Sequence, residues 1–133
     1  MHEKRIEIRW RDMDAYRHVN NAVYLTYLEE ARDEWLERVL GDLVRPWDFV
    51  LARVAVDFRR ELVQEIDDAV LVRCCLDRIG TSSVRTHEEV RFLDGAVSAE
   101  AEAVLVARAQ GGGGSRPLTP EERAAFEAER DGA

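Results

Sequence analysis

Residues 4–11 alternate between apolar and charged. Ile6, Ile8 and Trp10 fall on one side, and Arg5, Glu7, Arg9 and Arg11 on the other. This two-residue period predicts a strand with one buried face. The period then changes. From Asn20 to Leu40 the apolar residues Val23, Tyr24, Tyr27, Leu28, Ala31, Trp35, Leu36, Val39 and Leu40 recur at steps of three and four, opposite Glu29, Glu30, Asp33, Glu34, Glu37 and Arg38. That is an amphipathic helix. Asn20 or Asn21 is its natural N-cap and Gly41 its natural stop. Between strand and helix lies a polar turn, Asp12 to Val19.

A loop containing Pro46 follows over 41–48. The two-residue period returns at Val50, with Val50, Ala52, Val54, Val56 and Phe58 in register. After a polar connection at 61–68, residues 69–78 alternate through Val70, Val72, Cys74 and Leu76, and Gly80-Thr81-Ser82-Ser83 breaks the run. The segment 84–93 is the weakest strand, with Val84, Val90 and Phe92 on one face and Arg85, His87, Glu89 and Arg91 on the other. Asp94-Gly95 is a hairpin turn signal. Residues 96–108 are rich in alanine and valine. A helix competes there, but the preceding turn favours a strand, and small side chains would let the long helix approach closely. Past the flexible Gly111–Ser115 stretch, Thr119-Pro120-Glu121-Glu122 combines an N-cap, Pro at the first helical position and a capping-box glutamate. This second helix carries few apolar residues, Leu118 and Phe126, and reads as peripheral. The pattern predicts an α+β architecture: an antiparallel sheet of about five strands with one long helix on it, spanning 1–110, and a linker with a short helical tail over 111–133.

At 133 residues, 46% hydrophobic and 35% charged, the chain is one globular domain. No apolar run is long enough to cross a membrane, and the start Met-His-Glu-Lys-Arg-Ile lacks a signal-peptide core, so a cytoplasmic protein is expected. The net charge of −8 argues against a nucleic-acid partner. Cys74 and Cys75 are adjacent and read as reduced thiols. There is no Gly-x-Ser-x-Gly elbow, no phosphate-binding glycine pattern and no metal-ligand spacing.

Chemistry concentrates in the turn and the helix start. Asp14, His18, Asn20 and Asn21 sit within about one turn of a helix N-terminus, where unpaired N–H groups and a partial positive charge favour a developing negative charge. Asp14 could serve as general base or nucleophile, or merely as an Asx-turn residue. His18 could orient Asp14, contact substrate or hydrogen-bond within the turn.

The run Asp14-Ala-Tyr-Arg-His18-Val-Asn20-Asn21-Ala-Val-Tyr24, with Tyr27-Leu-Glu29-Glu30-Ala-Arg32 after it, resembles the signature of acyl-CoA thioesterases of the 4-hydroxybenzoyl-CoA thioesterase type, in the hotdog-fold superfamily. The resemblance is close in the first third of the chain. Many relatives carry Gly near position 17 and Pro near position 61, where this chain has Arg17 and Glu61. The resemblance implies a sheet wrapped around the helix, and hydrolysis of an acyl-CoA to a free acid and coenzyme A without a separate cofactor or metal. It also implies assembly as a homodimer or homotetramer. Asp14 would be the catalytic carboxylate, with the backbone amide of Asn21 polarising the carbonyl and His18 beside them. Asp12 falls outside the pattern. Asn20 is a candidate for substrate contact as well as a cap, and Tyr24 and Tyr27 could line the acyl pocket or sit in the core with the hydroxyl satisfied at an edge. Arg59, Arg60, Ser82 and Ser83 are candidates for the anionic end of coenzyme A. A non-catalytic hotdog module that binds acyl-CoA is the alternative, and a dehydratase of the same fold ranks below it.

Overall fold

The computed structural model describes residues 1–43, 48–63, 66–109 and 111–131. Five strands, β1 (His2–Glu7), β2 (Phe49–Phe58), β3 (Ala69–Ile79), β4 (Ser83–Arg91) and β5 (Val97–Ala107), accompany two helices, α1 (Asn21–Leu40) and α2 (Pro120–Asp131). The loop expected around Pro46 lies outside the described residues. The sheet order is β1-β3-β4-β5-β2, with every neighbouring pair antiparallel. Two hairpins build its centre. In the second, Gly95 adopts φ 96°, a conformation in which a Cβ would be strained, and Phe92 N–H donates to the Ala96 carbonyl at 2.8 Å.

The alanine-rich segment is a strand. Ala99, Ala101, Ala103, Leu105 and Ala107 all turn inward and are buried, so the helix packs close on short side chains. The core has two parts along α1. One gathers Tyr24, Tyr27, Leu28 and Ala31 against Val70, Val72, Val90, Ala99 and Ala101. The other gathers Trp35 and Leu40 against Phe49, Cys74, Val84, Leu105 and Phe126. Between them Arg32 reaches Glu88 on β4, both almost fully buried. Glu88 also accepts from the Thr86 hydroxyl at 2.6 Å. Two polar residues on the inward face of β4 are what made that strand look weak.

Three expectations differ from the structure. β1 ends at Glu7, and Trp10–Asp12 is a 3₁₀ turn that leaves Trp10 81% exposed. The cause is Asp12, whose carboxylate accepts from the Arg9 backbone N–H at 2.9 Å and from Arg9 Nε at 3.2 Å and so bends the chain out of the sheet. In β2 the five residues Val50 to Phe58 do not share one face. A bulge between Leu51 and Arg53 makes Ala52 an extra residue. Phe49 and Leu51 pair with the inward Ala107 and Leu105 before it, and Val54, Val56 and Phe58 with Ala103, Ala101 and Ala99 after it, so Val50 turns outward. Finally, α2 is not peripheral. Phe126 is fully buried, its ring 5.8 Å from Trp35 and 6.0 Å from Phe49. The expected cap is present: Glu122 N–H donates to the Thr119 hydroxyl at 3.1 Å, and Thr119 N–H to Glu122 Oε1 at 2.8 Å.

Candidate active site

The turn between β1 and α1 closes on itself. Asp14 N–H donates to the His18 carbonyl at 2.9 Å, and Arg17 N–H to the Asp14 carbonyl at 3.1 Å. Arg17 adopts φ 65°, the left-handed region that suits glycine. Asp14 Oδ1 holds the turn by accepting from Tyr16 N–H at 2.8 Å and His18 N–H at 3.3 Å. The Asx-turn reading of Asp14 therefore describes its Oδ1. Both bonds fall on that one oxygen, so Oδ2 carries none among the described residues.

Asn20 is the N-cap of α1, its side-chain oxygen accepting from Ala22 N–H at 2.8 Å. Asn21 is the first helical residue, and helix geometry leaves its amide without an intrahelical acceptor. Asp12 lies beneath this corner. It is buried and accepts from the Tyr27 hydroxyl at 2.6 Å. Burial alone would push its carboxyl up. The bonds from Tyr27 and Arg9 outweigh burial and hold it below the usual carboxylate range. The Tyr27 hydroxyl is pushed well above the phenol range, first by burial and then by Asp12.

Asp14, His18, Asn20, Asn21, Tyr24, Arg59 and Arg60 line one open cleft of about 900 Å³, together with Glu61, Phe58, Phe92, Ile66 and Asp67. Its floor is aromatic. The Tyr24 ring meets Phe58 edge-on at 5.1 Å, and the Arg60 guanidinium lies 4.2 Å above the Phe92 ring. Ser98 ties this floor together. Its hydroxyl donates to the Arg60 carbonyl at 2.6 Å, so the Tyr24 hydroxyl, 2.9 Å away, is the donor to Ser98. The Ser98 carbonyl accepts from Arg59 N–H at 2.8 Å and Arg60 N–H at 3.0 Å. Burial pushes the Tyr24 hydroxyl up, so it stays neutral.

Two expectations do not join this cleft. Tyr27 is 1% exposed and spends its hydroxyl on Asp12, so it belongs to the core. Ser82 and Ser83 lie at the other end of the β4–β5 ladder, where Ser83 pairs with Val106 while Phe58 pairs with Ala99. Seven residues of strand separate them, roughly 25 Å. There Ser83 lines a smaller cavity of about 220 Å³ with Arg78 and Arg85. Arg59 reaches the cleft but also donates to Glu100 at 3.1 Å. Phe58, Glu61 and Phe92 line the cleft without having been among the expected site residues, and Ser98 holds its floor through Arg60 and Tyr24. Alternation puts Ser98 on the side of Glu100, and it is buried only because the β4–β5 register shifts beside it, so the sequence offered no signal for it. Among the described residues, His87, Glu89 and Glu100 form the one group able to hold a metal, on the outward sheet face. There Arg91 pairs with Glu89 and Arg59 with Glu100.

A five-stranded antiparallel sheet around one long helix, with a cleft at the helix N-terminus, is the hotdog architecture of thioesterases. The chain matches the sequence profile of the Thioesterase-like superfamily over residues 8–126. It is 31% identical over 106 residues to the long-chain acyl-CoA thioesterase FadM of Escherichia coli, covering 74% of this chain and 76% of that protein. A thioesterase from Thermus thermophilus, solved in complex with coenzyme A and Zn, superposes with a TM-score of 0.86 at 34% identity, over 98% of this chain and 94% of the other. A 1,4-dihydroxy-2-naphthoyl-CoA thioesterase from Synechocystis shares the fold at 19% identity, with a TM-score of 0.77 over 94% of both chains. The chain belongs to the thioesterase-like superfamily and is a thioester hydrolase.

Proposed function

We propose that this chain hydrolyses an acyl-CoA thioester to a free carboxylic acid and coenzyme A, with Asp14 as the catalytic carboxylate. The observation that carries this reading is that one cleft is lined by both Asp14 and the first residue of α1. The thioester carbonyl oxygen rests on the Asn21 amide, where the helix N-terminus stabilises the oxyanion. One such donor is worth about 3 kcal/mol of barrier. Asp14 Oδ2 either takes a proton from the attacking water or attacks the carbonyl carbon itself. The carbon–sulfur bond then breaks. On the base route the departing thiolate takes up the proton Asp14 received; on the nucleophile route it leaves a mixed anhydride on Asp14, and the water that hydrolyses this to the free acid restores Asp14 and supplies the thiolate's proton. Asn20 holds the helix end in place, and Tyr24 with Phe58 and Phe92 forms an apolar bed for the acyl group. Arg59 and Arg60 at the mouth suit the phosphates of coenzyme A.

β2 is a sheet edge, and Val50, Leu51 and Phe58 on it are exposed. Such an edge favours pairing with a second copy, as a homodimer or homotetramer. In that assembly Ser82 and Ser83 would serve a neighbouring subunit's cleft rather than their own. Light scattering on the purified protein tests it, and a monomer at micromolar concentration removes it. No described helix is long and apolar enough to cross a membrane. We place the reaction in the cytoplasm, which fractionation of cells expressing the tagged chain would check.

Thiol release from a panel of acyl-CoAs tests the hydrolase reading. Wild type should release thiol, and Asp14→Asn should lose at least about a hundredfold in kcat. Equal rates would remove Asp14 from the mechanism. Tight acyl-CoA binding without turnover would favour the non-catalytic module. Oxygen-18 from water appearing in the Asp14 carboxylate after a single turnover would select the nucleophile route over the base.

A further inference from the structure

Glu61 stands where many relatives carry proline, and its side chain has a specific partner. His18 Nε2 lies 3.0 Å from Glu61 Oε2, across 43 residues of sequence. The backbone holds both in place. Val19 N–H donates to the Leu62 carbonyl at 2.9 Å, and His18 bridges Val63, so residues 61–63 run beside the Asp14 turn. Leu62 is fully buried and anchors this segment on one side of Glu61, and Arg60, fixed by Ser98 and Phe92, anchors the other. Asp14, His18 and Glu61 all line the same cleft.

On the hydrolase reading above, we infer that Glu61 is a positioning residue that acts through His18. At 3.0 Å two lone pairs would repel, so the ring carries a hydrogen on Nε2, toward the Glu61 carboxylate. In the tautomer with its hydrogen on Nε2 the ring offers Nδ1 as an acceptor, and Nδ1 has no partner among the described residues. The attacking water can give one hydrogen to Asp14 Oδ2 and the other to His18 Nδ1, which aims its lone pair at the thioester carbon. Asp14 takes the proton that moves, and His18 only orients. Without Glu61 the ring can rotate and exchange tautomers, and the water loses one of its two holds.

Charge supports this role over a binding one. Asp14, Glu61 and Asp67 already place three carboxylates in a cleft meant for an anionic substrate. A third negative group opposes binding, so a benefit from Glu61 must fall on turnover. Stability offers little alternative, because the Glu61 side chain is 68% exposed and exposed pairs contribute little.

Steady-state kinetics of single and double variants test the inference, after wild-type turnover is established on the acyl-CoA panel. Glu61→Ala should lower kcat about tenfold without raising KM and without a measurable change in Tm. Glu61→Gln, which keeps an acceptor for Nε2 and drops the charge, should recover kcat to within about threefold of wild type. In a His18→Asn background, Glu61→Ala should change kcat less than about twofold, because its route is gone. Equal losses in the two backgrounds, or a raised KM with unchanged kcat, would overturn the inference and leave the hydrolase reading standing. Absence of thiol release by wild type would overturn both.

Discussion

Arg32 and Glu88 meet in a two-pronged ion pair between helix and sheet, Nε to Oε2 at 2.9 Å and Nη2 to Oε1 at 2.7 Å. Burial works against the Arg32 charge. The hydrogen bonds and charge of Glu88 more than offset it and hold the guanidinium above its usual range. The pair sits where the two halves of the core adjoin: Ala31 precedes it in one half and Trp35 follows in the other. It fixes α1 along and around its axis, which in turn sets where the Asn21 amide points.

Removing one partner should be worse than removing both. Arg32→Met or Glu88→Leu alone strands a buried charge and should cost about 3–5 kcal/mol. The double variant should be considerably less destabilised than the sum of the two. Urea unfolding of the four proteins checks this, and simple additivity would mean that the pair is not coupled.

Asp12 should give the fold an acid-sensitive component. Its carboxyl is depressed in the folded chain, so its contribution is fully present above the unfolded value of about 3.9 and is lost as pH falls through the folded value. Tyr27→Phe removes a donor to that buried charge. It should cost about 2 kcal/mol at pH 7, and the difference should shrink below about pH 3. Unfolding curves of both proteins from pH 7 to pH 2.5 measure it.

The two asparagines at the helix start should separate cleanly. Asn20→Ala removes the cap on Ala22 and should destabilise by about 1 kcal/mol, while Asn20→Asp should not. Asn21→Ala leaves the backbone amide in place and should keep kcat within about threefold, because the oxyanion role needs that N–H and not the side chain. Thermal melts and thiol-release rates on the same samples tell them apart.

Phe126→Ala should behave as a core substitution despite its place in the last helix. The ring is fully buried against Trp35 and Phe49, so its loss should cost about 3–5 kcal/mol. A change within about 0.5 kcal/mol would return α2 to a peripheral role.

Much of this was legible because local signals and tertiary structure agreed. The Asn20 cap, the Gly41 stop, the Asp94-Gly95 turn and the Thr119–Glu122 box all act within a few residues of themselves. What escaped the sequence depended on distant partners. Glu88 looks like a surface residue until Arg32 arrives from 56 positions away. Asp12 looks like a spare carboxylate because it falls outside the pattern, and its structural task appears only when the Tyr27 hydroxyl reaches it from 15 positions away. Phe126 is a single apolar residue in a polar helix, and its slot exists only after Trp35 and Phe49 converge. The β2 bulge shifts the alternation by one residue at Ala52 and leaves no mark in composition.

β2 finds its hydrogen-bonding neighbour only in β5, whose first residue leaves the ribosome 39 residues after the last of β2. Until then a β-branched, sticky ribbon must wait with no ladder to join. During synthesis this stretch is the natural target for a chaperone, and crowding among nascent chains would first show itself there.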